Sequence, residues 1–166
     1  MCIRDRTRIG VTGHRRYRQN SATDEAIGVV IARATEDGAP ATIVSSLAEG
    51  ADRAVAERVL DLPGSTLEVI LPMGAAEYAA DFESDDSRAQ FAGLLARATS
   101  IDIVDTTDHR QANYERAGHA VVDRCDVLIA VWDGTPSRGR GGTADIITYA
   151  LERSVRVDIV LVDRDD

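Results

Sequence analysis

Short apolar runs alternate with stretches of helical spacing from one end of the chain to the other. Arg8–Thr12 (RIGVT), Ala41–Leu47 (ATIVSSL), Thr66–Leu71 (TLEVIL), Ile101–Val104, Asp126–Trp132 (DVLIAVW) and Val155–Val162 (VRVDIVLV) read as strands. Between them, Thr23–Glu36, Ala51–Leu60, Ser87–Ala98, Gln111–Arg124 and Thr143–Arg153 repeat apolar residues on one helical face. Strand and helix in alternation predict an α/β fold, with a mainly parallel sheet of about six strands and helices on both faces. No repeat, low-complexity segment or long linker divides the chain, so residues 8–166 are expected to form one domain. Residues 1–7 are expected to be a non-native or disordered tail, because Met1–Arg6 (MCIRDR) joins no downstream pattern. Met73–Asp86 is the least regular stretch and is acidic at Asp81, Glu83, Asp85 and Asp86, which suits either a flap or a solvated connection.

Composition narrows the function classes. The chain has 166 residues and 44% hydrophobic residues, enough for a single self-sufficient core. No run approaches the roughly 18 apolar residues of a membrane span, and no apolar leader opens the sequence. The expected location is therefore cytoplasmic, with no membrane partner. All nineteen basic residues are arginine, which excludes a P-loop lysine and a Schiff-base lysine. A net charge of -9 repels nucleic acid, although Arg15, Arg16 and Arg18 make one local basic cluster. Cys2 and Cys125 form no disulfide framework, and Cys125 beside an apolar run reads as a buried small hydrophobe. His14, His109 and His119 are scattered, so no metal site is expected.

Glycines and small polar residues collect after the first, second and fifth strands. In open α/β sheets ligands bind at the carboxyl ends of strands, so these three loops are the candidate site. In the first loop Thr12 and Gly13 let backbone amides approach an anion, and His14 and Arg15 stand ready to contact a phosphate or base. A tight turn with a solvated histidine reads equally well. In the second, Ser46, Glu49, Gly50 and Asp52 precede a helix whose N-terminus favours anions. Glu49 suits a ribose hydroxyl, and Asp52 either faces a ligand or caps the helix. In the third, Asp133 and Gly134 lead through a loop with the length of a mobile one to Gly141, Gly142 and Thr143. A Gly-Gly-Thr sequence at a helix start is an anion cradle, or Thr143 is simply a cap.

Taken together, GVTGHR, SSLAEGADRAVAERVL and CDVLIAVWDG…GGTAD resemble the SLOG superfamily, the Rossmann-like group that includes LOG phosphoribohydrolases and DNA-processing A proteins. The resemblance spans about Arg8 to Asp163. It implies a three-layer fold with strand order 4-3-2-1-5-6, which sets strands one, two and five side by side. It also implies a functional role for Arg116 and brings Tyr114 near the site. A homodimer and an effector partner are further implications. LOG enzymes read GGxGTxxE, whereas the third residue after Thr143 is Ile146. Asp145 comes one position earlier, about 100° away around a helix.

The leading expectation is therefore binding or sensing of a nucleotide or NAD/ADP-ribose-like ligand at these loops. The alternative is N-glycosidic hydrolysis of a nucleoside monophosphate, with Glu49, Asp133 or Asp145 as acid or base and Arg116 holding phosphate. DNA binding ranks third, against the acidic balance and the single tryptophan. A Rossmann oxidoreductase ranks fourth, for want of GxGxxG.

Overall fold

The computed structural model describes residues 6–165. The elements follow in the order β1 (Arg8–Gly13), α1 (Ser21–Ala34), β2 (Thr42–Ser45), α2 (Ala51–Leu60), β3 (Thr66–Leu71), α3 (Ala75–Ala79), α4 (Asp85–Ala96), β4 (Ser100–Ile103), α5 (Arg110–Asp123), β5 (Val127–Trp132), α6 (Thr143–Glu152) and β6 (Arg156–Leu161). One six-stranded sheet runs β4-β3-β2-β1-β5-β6, and every neighbouring pair is parallel. The fold is a Rossmann-like three-layer α/β arrangement. Of the tail expected at 1–7, residues 1–5 lie outside the described residues, while the Thr7 carbonyl already accepts from the Thr42 amide at 3.0 Å.

Alternation along the strands sends side chains to two cores. Ile9, Val11, Ile43, Val69, Ile129 and Val131 pack under α1, α2 and α4, while Val44, Ile70 and Leu128 pack under α5 and α6. Each such side chain, fully buried, contributes about 1.5–3 kcal/mol. Cys125 is partly buried and presses on β1, where a Cβ on Gly10 would stand 2.8 Å from its Sγ. Burial pushes that thiol up to about 11, so it is not a nucleophile at neutral pH.

Several boundaries differ from the periodic reading, each for a local reason. α1 starts at Ser21 because the Asn20 side chain accepts from the Thr23 amide at 2.9 Å. α4 starts at Asp85 because Ser84 Oγ accepts from the Ser87 amide at 3.1 Å. β2 stops at Ser45 because Leu47 adopts φ 54°, turning the chain away from the sheet. The acidic residues of the stretch 73–86 are solvated, as one reading expected, but the stretch also packs inward. Met73, Tyr78 and Phe82 are buried, and α3 places Tyr78 edge-on to Phe82 and Phe91 at 5.0 and 5.6 Å between ring centres.

Candidate functional site

β1 is where the sheet order reverses, with β2 on one side and β5 on the other, so the loops after these three strands meet above a crevice. That crevice is a cleft of about 650 Å³, the size of a small-molecule site. Its walls include Thr12, Gly13, His14, Arg15, Ser46, Glu49, Asp52, Gly141, Gly142 and Thr143 from the candidate loops. α5 supplies a wall of its own through Tyr114, Ala117, Gly118 and Val121, spaced for one helical face.

The first loop is held from below. Gly50 has φ 84°, and a Cβ there would come within 2.6 Å of the His14 carbonyl, so it is the seat of the loop and not part of the cleft wall. Gly13 is similarly pressed, since its Cβ would stand 2.8 Å from the Val131 carbonyl. His14 is buried rather than solvated. Its Nε2 lies 3.1 Å from both the amide and the Oδ1 of Asp133. A neutral Nε2 accepts from that amide, and a protonated one donates to the carboxylate. Either way His14 ties the first loop to the third. Arg15 extends over the Tyr114 ring, 5.4 Å from its centre.

The third loop is tied down at many points instead of hanging free. Asp133 Oδ1 accepts from the Thr135 amide at 3.0 Å and the Thr135 hydroxyl at 2.7 Å. Desolvation opposes its ionisation, but these bonds and His14 outweigh it and hold the carboxyl down at about 2. Gly141 has φ 73° and abuts α5, where its Cβ would meet Glu115 Cα at 2.9 Å. Arg140 clamps Glu115 with two bonds of 3.2 and 3.0 Å. Ser137 Oγ accepts from the Asp145 amide at 3.1 Å, and Asp145 Oδ2 accepts from the Gly141 amide at 3.2 Å, a reciprocal cap on α6. The Thr143 and Ala144 amides are left with no acceptor among the described residues, and both residues line the cleft.

The opposite end, formed by the second loop and α3, is acidic and buried. Asp52 does not cap α2; its Oδ2 accepts from the Ala48 amide at 3.2 Å in the preceding turn. Burial lifts this carboxyl to about 7, against the Ala48 bond and the charges of Arg15 and Arg53. Glu49 is not free to meet a ribose through Oε1, which accepts from the Glu83 amide at 2.9 Å and from the Ser87 hydroxyl. Arg53 is buried, lies 4.4 Å over the Phe82 ring, and donates to Leu47, Ser87 and Gln90. Tyr78 lines the cleft with its hydroxyl buried and without a partner among the described residues.

Besides Gly50, four candidates fall outside the cleft walls. Arg116 sits two residues past Tyr114, about 200° around α5, and donates to the Asp105 carbonyl at 2.7 Å. Asp133 and Asp145 are spent on the loop bonds just described, and Gly134, at φ 84°, forms the turn between them. The periodic reading missed Tyr78, Ser137, Arg138, Arg140 and the returning C-terminal pair Arg164 and Asp165. A Tyr78–Phe82–Phe91 spacing was the available signal for the first. Five arginines and five carboxylates line the cleft, so it is formally neutral in a protein of net charge -9. Arg138 and Arg140 stand beside the α6 N-terminus, Arg140 paired with Glu115, while Arg15 and Arg16 stand with Glu49, Asp52, Asp81 and Glu83 at the other end, Arg16 paired with Glu83.

Among the described residues no three His, Cys, Asp or Glu side chains group to hold a metal ion. No helix of the described residues is long and apolar enough to cross a membrane. Compared with known proteins, the chain matches no family model and no curated protein.

Proposed function

We propose that the chain is a binding or sensing domain for a nucleotide or an ADP-ribose-like derivative, related to the SLOG superfamily its loops resemble. The observation that carries this reading is the pair of unpaired Thr143 and Ala144 amides at the start of α6, opening onto a cleft of about 650 Å³. Two such N–H groups at the positive end of a ten-residue helix bind a phosphate. A sugar and base then extend along the α5 wall towards the acidic end.

Hydrolysis is the weaker reading. Asp133, Asp145 and Glu49 hold loops together, and Arg116 points away from the cleft. Titration calorimetry with AMP, ADP-ribose and inorganic phosphate tests the proposal. Saturable one-to-one binding of at least one of the two organic ligands, tighter than phosphate, is expected, with no free base by chromatography after incubation. Absence of binding by both would overturn the reading, and release of adenine would convert the site into a hydrolase.

A further inference from the structure

The acidic end of the cleft carries two groups that the protein leaves short of partners. The Tyr78 hydroxyl is fully buried and makes no hydrogen bond among the described residues. Asp52 is 7% exposed, and the one hydrogen bond its carboxyl receives there comes from the Ala48 amide. Both residues line the cleft. The charge of Asp52 adds to burial in raising the Tyr78 hydroxyl. Buried polar groups are ordinarily satisfied, and an exception in a cleft wall points to a partner supplied from outside.

The sheet sets the distance between this end and the phosphate end. β2 and β5 flank β1, so their ends stand about 10 Å apart. A nucleoside monophosphate spans that gap, with phosphate on the α6 amides and base at Asp52. The Arg15 guanidinium stands over the Tyr114 ring, 5.4 Å from its centre, on the way, a cation–aromatic pair beside which a planar base can pack.

We propose that Asp52 and Tyr78 form a base-reading subsite for a heterocycle that sets a ring-nitrogen acceptor beside an exocyclic amine, the edge shown by adenine and cytosine. This rests on the nucleotide reading above. A protonated carboxyl donates its O–H to the ring nitrogen and accepts an amine hydrogen on the other oxygen, while the Tyr78 oxygen takes the second amine hydrogen. An ionised carboxylate offers only acceptors and suits the N–H and amine donors of guanine instead. Arg15 from the first loop and Arg53 from α2 favour ionisation of Asp52, the Asp52 charge acts in turn on Tyr78 of α3, and Glu49 and Tyr114 act on Arg15. Burial outweighs the arginines and keeps the carboxyl near half-protonated at neutrality.

The test is the ratio of AMP to GMP affinity by calorimetry between pH 6 and 8, since both ligands carry the same titrating phosphate. The ratio is expected to favour AMP at pH 6 and to fall by up to about tenfold per pH unit above the Asp52 midpoint. Asp52→Asn is expected to keep AMP binding, because a carboxamide also sets a donor beside an acceptor and pairs with adenine. The same change is expected to flatten the pH profile. Tyr78→Phe is expected to weaken AMP by about tenfold with no change in the slope. An AMP:GMP ratio that rises with pH, equal affinities throughout, or a slope that survives in Asp52→Asn would overturn the subsite and leave the nucleotide reading standing. Failure of both nucleotides to bind would overturn both.

Discussion

Asp52 shows how a single side chain can bear on stability and recognition together. Its carboxyl ionises at an ordinary 3.8 in the unfolded chain and at about 7 in the folded one. Below the unfolded value both states are protonated and Asp52 costs nothing. As pH rises from there the unfolded chain loses its proton first, so stability falls until the folded group also ionises, and levels off above about 7. Asp52→Asn removes this term. The variant is expected to unfold at the same urea concentration as the parent near pH 3.5 but to be more stable at pH 8, by on the order of 4 kcal/mol at about 1.4 kcal/mol per pKa unit. Urea titrations at the two pH values measure it, and a gain that does not grow with pH would refute the burial argument. Asp52 stood out in the sequence as a polar residue opening a helix. Its burial did not, because it depends on segments distant in sequence, such as the first loop whose Arg15 acts on it.

At the scale of the element, α6 begins in an unusual way. Its N-cap is Gly142, which has no side chain to accept from the first turn. Ser137, five residues earlier, supplies the missing acceptor, and a Cβ on Gly142 would come within 2.6 Å of Ser137 Oγ. The glycine therefore admits the loop's own serine, where the sequence pattern alone suggested close approach to a ligand. Ser137→Ala is expected to cost about 1 kcal/mol, a fall of about 2–4 °C in Tm by calorimetry, while nucleotide affinity changes less than the variance between caps because the Thr143 and Ala144 amides stay in place. Gly142→Val is expected to displace Ser137 and abolish binding with the sheet intact by circular dichroism. If Gly142→Val bound the ligand normally, the phosphate would not lie on α6.

For the whole molecule, charge decides which polyanions are admitted. The protein carries a net -9, yet its cleft is lined by as many arginines as carboxylates. A mononucleotide fits inside that local field. A nucleic acid strand must also lie along the acidic surface outside it. Single-stranded DNA is expected to bind with a dissociation constant of about 10⁻⁴ M or weaker at physiological salt, read by fluorescence anisotropy. Tight binding that persists as salt is raised would shift the reading towards a DNA-processing role.

The alternation of apolar runs and helical spacings was enough to determine the six strands, five of the six helices and the parallel sheet, because strand and helix periods depend on neighbours in sequence. The glycine-bearing loops after strands one, two and five were equally legible, since turn chemistry is local. What each loop residue does was decided only by tertiary structure. Gly50, Asp133 and Asp145 look like ligand contacts in the sequence, but each is consumed by a neighbour 2 to 119 positions away that spacing cannot reveal. Tyr78 looked like part of an acidic connection, and became the floor of the cleft because α3 folds its ring onto Phe82 and Phe91. Local periodicity sets where the chain turns and which face is apolar. Burial, and with it the charge state of Asp52 and the unpaired hydroxyl of Tyr78, exists only once distant segments close over the same volume.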